Sequence, residues 1–216
     1  MLSRLSAVRR QLLFGLALLL GGLFTVGVYL CAPSVRLLVH HRQLHELSTA
    51  RWVDAHRYDQ EWFDAARAGR VDILQALYVA HYPLDRQTSA GYTAVILAAY
   101  DSKPDALAYL LSIGADPCRA DQHGNTALMG ALYKGELAIA RQLLARSCAI
   151  DQANNAGETA LSFAALFGRL EILPELVAHG ADPNHLDVEG NTPLRVVLKQ
   201  GNAESASALR RVGATY

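Results

Sequence analysis

Four glycines, Gly91, Gly124, Gly157 and Gly190, stand 33 residues apart, and each opens the same phrase. The phrases run Gly91-Tyr-Thr-Ala-Val-Ile-Leu-Ala-Ala, Gly124-Asn-Thr-Ala-Leu-Met-Gly-Ala-Leu, Gly157-Glu-Thr-Ala-Leu-Ser-Phe-Ala-Ala and Gly190-Asn-Thr-Pro-Leu-Arg-Val-Val-Leu. A period of this length, opening on a turn glycine, suits a turn followed by two antiparallel helices, stacked copy on copy. Glycine supplies the backbone freedom of the turn. Thr93, Thr126, Thr159 and Thr192 stand two places later, where a hydroxyl can cap the first helix. Apolar and small residues mark the buried face, as in Val95, Leu97, Ala98 and Ala99 or Leu161, Phe163, Ala164 and Ala165. The first helix ends at Gly135, Gly168 and Gly201, with Ser102 in the same column. The second helix carries Leu110-Leu111, Leu143-Leu144 and Leu176-Val177. It stops at Gly114-Ala115-Asp116-Pro117 and Gly180-Ala181-Asp182-Pro183.

This pattern resembles the ankyrin repeat. The resemblance implies an all-α solenoid of about five helix-turn-helix units with β-turn or hairpin fingers, and a function of binding another protein without chemistry of its own. The fifth unit is degenerate. It begins near Tyr58, places Trp62, Phe63, Ala65 and Ala66 in the first helix and Ile73, Leu74 and Leu77 in the second, and closes on His81-Tyr82-Pro83-Leu84-Asp85 without the Gly-Ala. Divergence there and at Leu209-Arg210 reads as capping, since a terminal unit has core on one side and water on the other. Repeats starting near 58, 91, 124, 157 and 190 make one domain over 58–214. The family's Thr-Pro-Leu-His occurs nowhere intact, the nearest being Thr192-Pro193-Leu194-Arg195. The stack is therefore expected to rest on apolar contacts without the family's histidine links.

Ahead of the repeats lies a segment of another kind. No charged side chain occurs from Gln11 to Val35, and Leu12 to Leu30 is rich in Leu, Val and Phe. A helix of that length spans about 28 Å, enough for a hydrocarbon core of about 30 Å. We read residues 1–10 as a basic N-terminal segment, 11–32 as a transmembrane anchor and 33–57 as a juxtamembrane helical linker. The rival is a cleaved signal peptide, whose apolar region is normally shorter; its candidate site at Leu30-Cys31-Ala32 carries bulk in the wrong place. Arg4, Arg9 and Arg10 before the helix outweigh Arg36 and Arg42 after it, which places the repeats outside the cytoplasm. The basic residues are arginine except for Lys103, Lys134 and Lys199, a usage that suggests a GC-rich bacterium, and hence an inner-membrane protein with a periplasmic domain. Among bacterial proteins of this kind, the resemblance implies a partner such as a catalase or another stress-defence enzyme. Ala17, Gly21 and Thr25 recur every four residues, a spacing through which two membrane helices could approach as a weak homodimer.

Charge bounds the partner. Residues 1–42 hold five arginines and no acid, leaving 15 basic against 20 acidic groups in the remainder, a balance of −5. Such a domain lacks the basic surface that nucleic acid requires. Nucleophile elbows, phosphate loops and zinc spacings are absent from the sequence, so neither an enzyme nor a bound cofactor is expected. The alternative reading is a haem- or metal-handling accessory that uses the juxtamembrane His40, His41 and His45. Cys148 falls in the small-residue column of Ala115 and Ala181, which predicts buried packing. A Cys118–Cys148 bridge would suit an oxidising compartment, but the two columns differ by three places, which argues against it.

A partner would meet the concave side. The residues nine places after each repeat glycine are Tyr100, Tyr133, Leu166 and Lys199, with Arg67 in the cap unit; Phe167 and Tyr92 lie alongside. Aromatic side chains on a rigid surface are typical binding anchors. The expected stripe is Tyr92, Tyr100, Tyr133, Leu166 and Phe167, rimmed by the finger residues His123, Asn125 and Glu158. Facing water, it should contribute little to the stacking.

Overall fold

The computed structural model describes residues 55–215. The expected membrane anchor over residues 11–32, with Ala17, Gly21 and Thr25, and the histidines His40, His41 and His45 lie outside the described residues. Among those described, no helix is long and apolar enough to cross a membrane.

Among the described residues ten α-helices follow one another in pairs. They are α1 (Asp59–Ala68), α2 (Val71–Val79), α3 (Ala94–Tyr100), α4 (Pro104–Ser112), α5 (Ala127–Lys134), α6 (Leu137–Leu144), α7 (Ala160–Leu166), α8 (Leu173–Ala178), α9 (Pro193–Lys199) and α10 (Ala203–Arg211). Short 3-10 turns at Ala55–Tyr58 and Leu170–Ile172 precede α1 and α8. First helices stack on first helices, second on second. Among the described residues the fingers between pairs are turns, with an isolated bridge between Ala120 and Thr126.

Local chemistry sets each first helix. The hydroxyls of Thr93, Thr126, Thr159 and Thr192 accept from the backbone N–H three residues on, at 3.2–3.4 Å. All four threonines are buried, so the caps also satisfy polar groups that water cannot reach. At Gly91 a side chain is excluded twice over. Its φ is +84°, and a Cβ would meet the backbone N of Gln122 at 2.5 Å. The next finger presses that close because Gln122 N donates to Ala90 O at 3.1 Å. Asn155 N to His123 O and Val188 N to Ala156 O repeat the link one unit and two units further along.

The stack therefore holds together by more than apolar contact. Side-chain amides add to the finger ladder: Gln122 Nε2 donates to Ser89 O and Asn155 Nδ2 to Gln122 O. Arg169 reaches back one unit and donates to the carbonyls of Leu132 and Tyr133, at the C-terminal end of α5 where a cation is favoured. Behind these links the core is continuous, with Leu74, Leu107, Leu110, Leu132, Leu161, Ile172, Leu176, Leu194 and Leu209 fully buried.

The N-terminal unit repairs its missing Gly-Ala. His81 takes the left-handed conformation, φ +61°, in the column of Gly114 and Gly180. Tyr82 fills the alanine position, stacks against Trp62 at 4.9 Å and donates its hydroxyl to Asp59 at 2.5 Å. Burial first, and then the hydrogen bond to the Asp59 carboxylate, push the Tyr82 phenol well above its ordinary range.

The cysteines depart from expectation. Cys118 and Cys148 form a disulfide, with Cα atoms 5.3 Å apart. The reason lies one residue earlier. The glycine column Gly114, Gly180 and Gly213 has φ of +91°, +96° and +97°, but the third unit places Ser147 there, and it does not adopt positive φ. Its exit loop takes a different course, and Cys148 is half-buried where Ala115 and Ala181 are buried. Cys118 meanwhile stands in a column with Asp85, Asp151 and Asn184. Each of those three accepts a hydrogen bond from the backbone N–H 31 residues on, at Asp116, Asp182 and Thr215. At this one junction a covalent bond replaces the hydrogen-bonded staple.

Candidate functional site

The face built from the first helices, the palm of the array, carries a ladder of rings. Tyr100, the last residue of α3, stacks with Tyr133 of α5, their planes 8° apart and centroids 6.0 Å apart. Tyr133 meets Phe167 edge to face at 4.8 Å, and Phe167 meets Phe163 at 5.6 Å. Tyr100, Tyr133 and Phe167 remain 40%, 45% and 39% exposed, which is high for large aromatics in contact. They are at once part of the stacking between units and a surface open to a partner.

Along the ladder runs an open groove of about 460 Å³. Its walls include Tyr92, Tyr100, Tyr133, Phe167 and Asn125 from the expected set, together with Phe163, Asp101 and Gly130. Gly130 explains the depression. It stands in register with Leu97, Phe163 and Val196, and leaves the Tyr100 ring lying over bare helix backbone; a Cβ there would be 3.7 Å from Tyr100 Cδ2. Phe163, read from the sequence as core, is half-buried and turns its ring toward Phe167.

Three expected residues stand apart from these walls. Leu166 is half-buried and packs against the core, because α7 ends at that residue and Phe167, one place on, takes the exposed position. His123 is exposed at a finger tip, where its carbonyl accepts from Asn155 N. Glu158 is tied into the fingers: the Asn154 amide donates both to Glu158 Oε2 and to Asn125 Oδ1, each at 3.0 Å. Asn125 thus serves the finger ladder as well as lining the groove. Water-facing aromatics are legible from the 33-residue register. The contribution of Gly130 had a signal too, a glycine in mid-helix, which is costly unless something lies against it.

Carboxylates order the finger turns. Asp121 Oδ1 accepts from His123 N and Asn125 N, and Asp187 Oδ1 from Glu189 N and Asn191 N, the same turn two units apart. At Asp187 partial desolvation raises the carboxyl pKa, but the hydrogen bonds from Asn191 and Glu189 outweigh it and the net shift is downward. Among the described residues no group of three His, Cys, Asp or Glu gathers into a metal-ligating set.

The architecture defines a binding scaffold of stacked helical pairs. The family model for ankyrin repeats in three copies matches residues 62–154 and, again, residues 135–216. The chain belongs to the ankyrin-repeat family, whose members are generally non-enzymatic modules for protein–protein interaction. No curated protein shows significant similarity to it.

Proposed function

We propose that this chain is a membrane-tethered adaptor of a bacterial envelope, which holds a protein partner in the concave groove. The observation that carries the reading is the exposed ring ladder Tyr100–Tyr133–Phe167. A family that works by binding proteins has here concentrated rigid aromatic area over a groove, the composition of an interface hot spot. The apolar Leu12–Leu30 segment supports tethering, and the arginine bias before it supports a periplasmic position for the repeats. The Cys118–Cys148 disulfide adds support for export, because such bonds persist in oxidising compartments. The partner class implied by the family resemblance is a stress-defence enzyme such as a catalase.

The test is affinity capture of the full chain from native membranes, with Tyr133→Ala as control. A partner retained by the parent and lost by the variant supports the reading; retention of the same proteins by both refutes the groove. Protease added to spheroplasts should digest the repeats, and their protection until lysis would place them in the cytoplasm instead.

A further inference from the structure

The groove holds one charged group that its own fold leaves unanswered. Asp101 lines it, half-buried, and its carboxylate has no hydrogen-bond or ion-pair partner among the described residues. The other charged residues that line the groove are engaged, as are Lys134 and Lys199. Arg67 pairs with Asp64 at 3.2 Å, Lys199 donates to Asn191 at 2.8 Å, and Lys134 places Nζ 4.9 Å from the centroid of the Tyr100 ring. Asp121, on the finger side, is saturated by His123 and Asn125. Asp101 is also misplaced for stability. It caps the C-terminus of α3, where the helix presents its carbonyl ends and an acid is repelled. In the same register the other units place Ala68, Lys134, Phe167 and Gln200, none of them acidic.

We propose that this groove receives a basic side chain, arginine or lysine, presented by the protein partner; the inference rests on the concave face being the binding surface. The cation lies against the rings of the ladder and pairs with the Asp101 carboxylate. The electron-rich faces of tyrosine and phenylalanine attract it, and Lys134 over Tyr100 shows the fold already using a ring in this way. Tyr100 and Tyr133 carry phenol oxygens with no hydrogen-bond partner among the described residues, which can accept from a guanidinium or ammonium. A partner acid would face Asp101 across the groove and be repelled. A purely apolar anchor would bury the carboxylate without a counter-charge, at high cost.

The experiment uses the full chain in detergent micelles and a phage-displayed library of random dodecapeptides as probe. Peptides selected by the parent protein are resynthesised with each arginine replaced by citrulline, a neutral isostere, or each lysine by norleucine. They are then titrated against the parent, Asp101→Asn and Tyr133→Ala. The expected result is convergence on a basic residue whose neutralisation weakens binding roughly tenfold, the scale of a desolvated cation–π contact with a paired charge. Asp101→Asn should reproduce that loss while its melting temperature stays level or rises, a combination that a merely structural acid would not give. If the selected peptides need Tyr133 but lack a basic residue, or bind equally well as citrulline or norleucine forms, the cation is wrong and the groove stands. If they bind regardless of Tyr133, the groove fails as a binding surface and the inference falls with it.

Discussion

Tyr133 combines an exposed face with a part in the stacking, where the sequence led us to expect exposure alone. Its ring is 45% exposed, yet it touches Tyr100 on one side and Phe167 on the other. Truncation to alanine should therefore weaken partner binding by about 1–3 kcal/mol, as for a central hot-spot aromatic. It should also lower stability by about 1–2 kcal/mol, since each aromatic pair contributes roughly 0.5–1.5 kcal/mol. Leu143, buried on α6, gives the contrast: Leu143→Ala should lose about 2–5 kcal/mol of stability and leave the affinity of the folded fraction intact. Thermal melts and binding curves on the same two proteins separate the roles; a Tyr133→Ala protein that binds normally would assign the ring to packing alone. Gly130 reverses the signs. A Cβ there makes only ordinary contacts, so Gly130→Ala should stabilise by about 0.5–1 kcal/mol through helix propensity while narrowing the groove and weakening binding. A chemical-denaturation midpoint that falls would show that the Tyr100 ring cannot yield.

Single elements show where the register of the sequence was a sufficient guide and where it was not. Caps, glycine turns and buried leucines repeat every 33 residues, and the structure places them as the period predicts. The bridge was missed because a column comparison assumes that every exit loop follows the same path. Ser147 breaks that assumption by lacking the left-handed conformation of its column, and Cys118 was readable only as a substitute for the staple residues Asp85, Asp151 and Asn184. Leu166 and Phe167 were separated only by where α7 ends, a boundary that periodicity leaves uncertain by a residue or two. The bridge closes a 30-residue separation, for which chain entropy gives about 3–4 kcal/mol. Melts with and without reductant, or of Cys118→Ser, should report a loss of that size; equal melts would show that the thiols are not joined in solution. The last finger has its own acid sensitivity. With the Asp187 pKa held below the ordinary 3.8, its hydrogen bonds contribute stability above that value, and the contribution is lost as pH falls through the lower folded value. Amide exchange at Glu189 and Asn191 should accelerate in that window before the core does, and uniform acceleration across all fingers would contradict a local origin.

At the scale of the whole molecule, a repeat array is close to one-dimensional, its units joined only to their neighbours. The aromatic ladder, the finger hydrogen bonds and the Arg169 clamp all act across such junctions, so damage to one junction weakens the array as a whole. The junction between the second and third repeats is different in kind, because Cys118 and Cys148 fasten it covalently. If the chain is anchored at one end and grips a partner along its palm, as proposed, it is a chain that can be pulled. Under tension an unbridged solenoid would pay out its full contour as units peel away. The bridge withholds about 100 Å, at roughly 3.4 Å per residue over the enclosed loop. Pulled from its two ends in an optical trap, the oxidised protein should reach a total extension shorter by that amount than the reduced one. Its middle then acts as a stop, keeping the loop from Cys118 to Cys148, Tyr133 within it, out of the extended chain after the flanking units have given way.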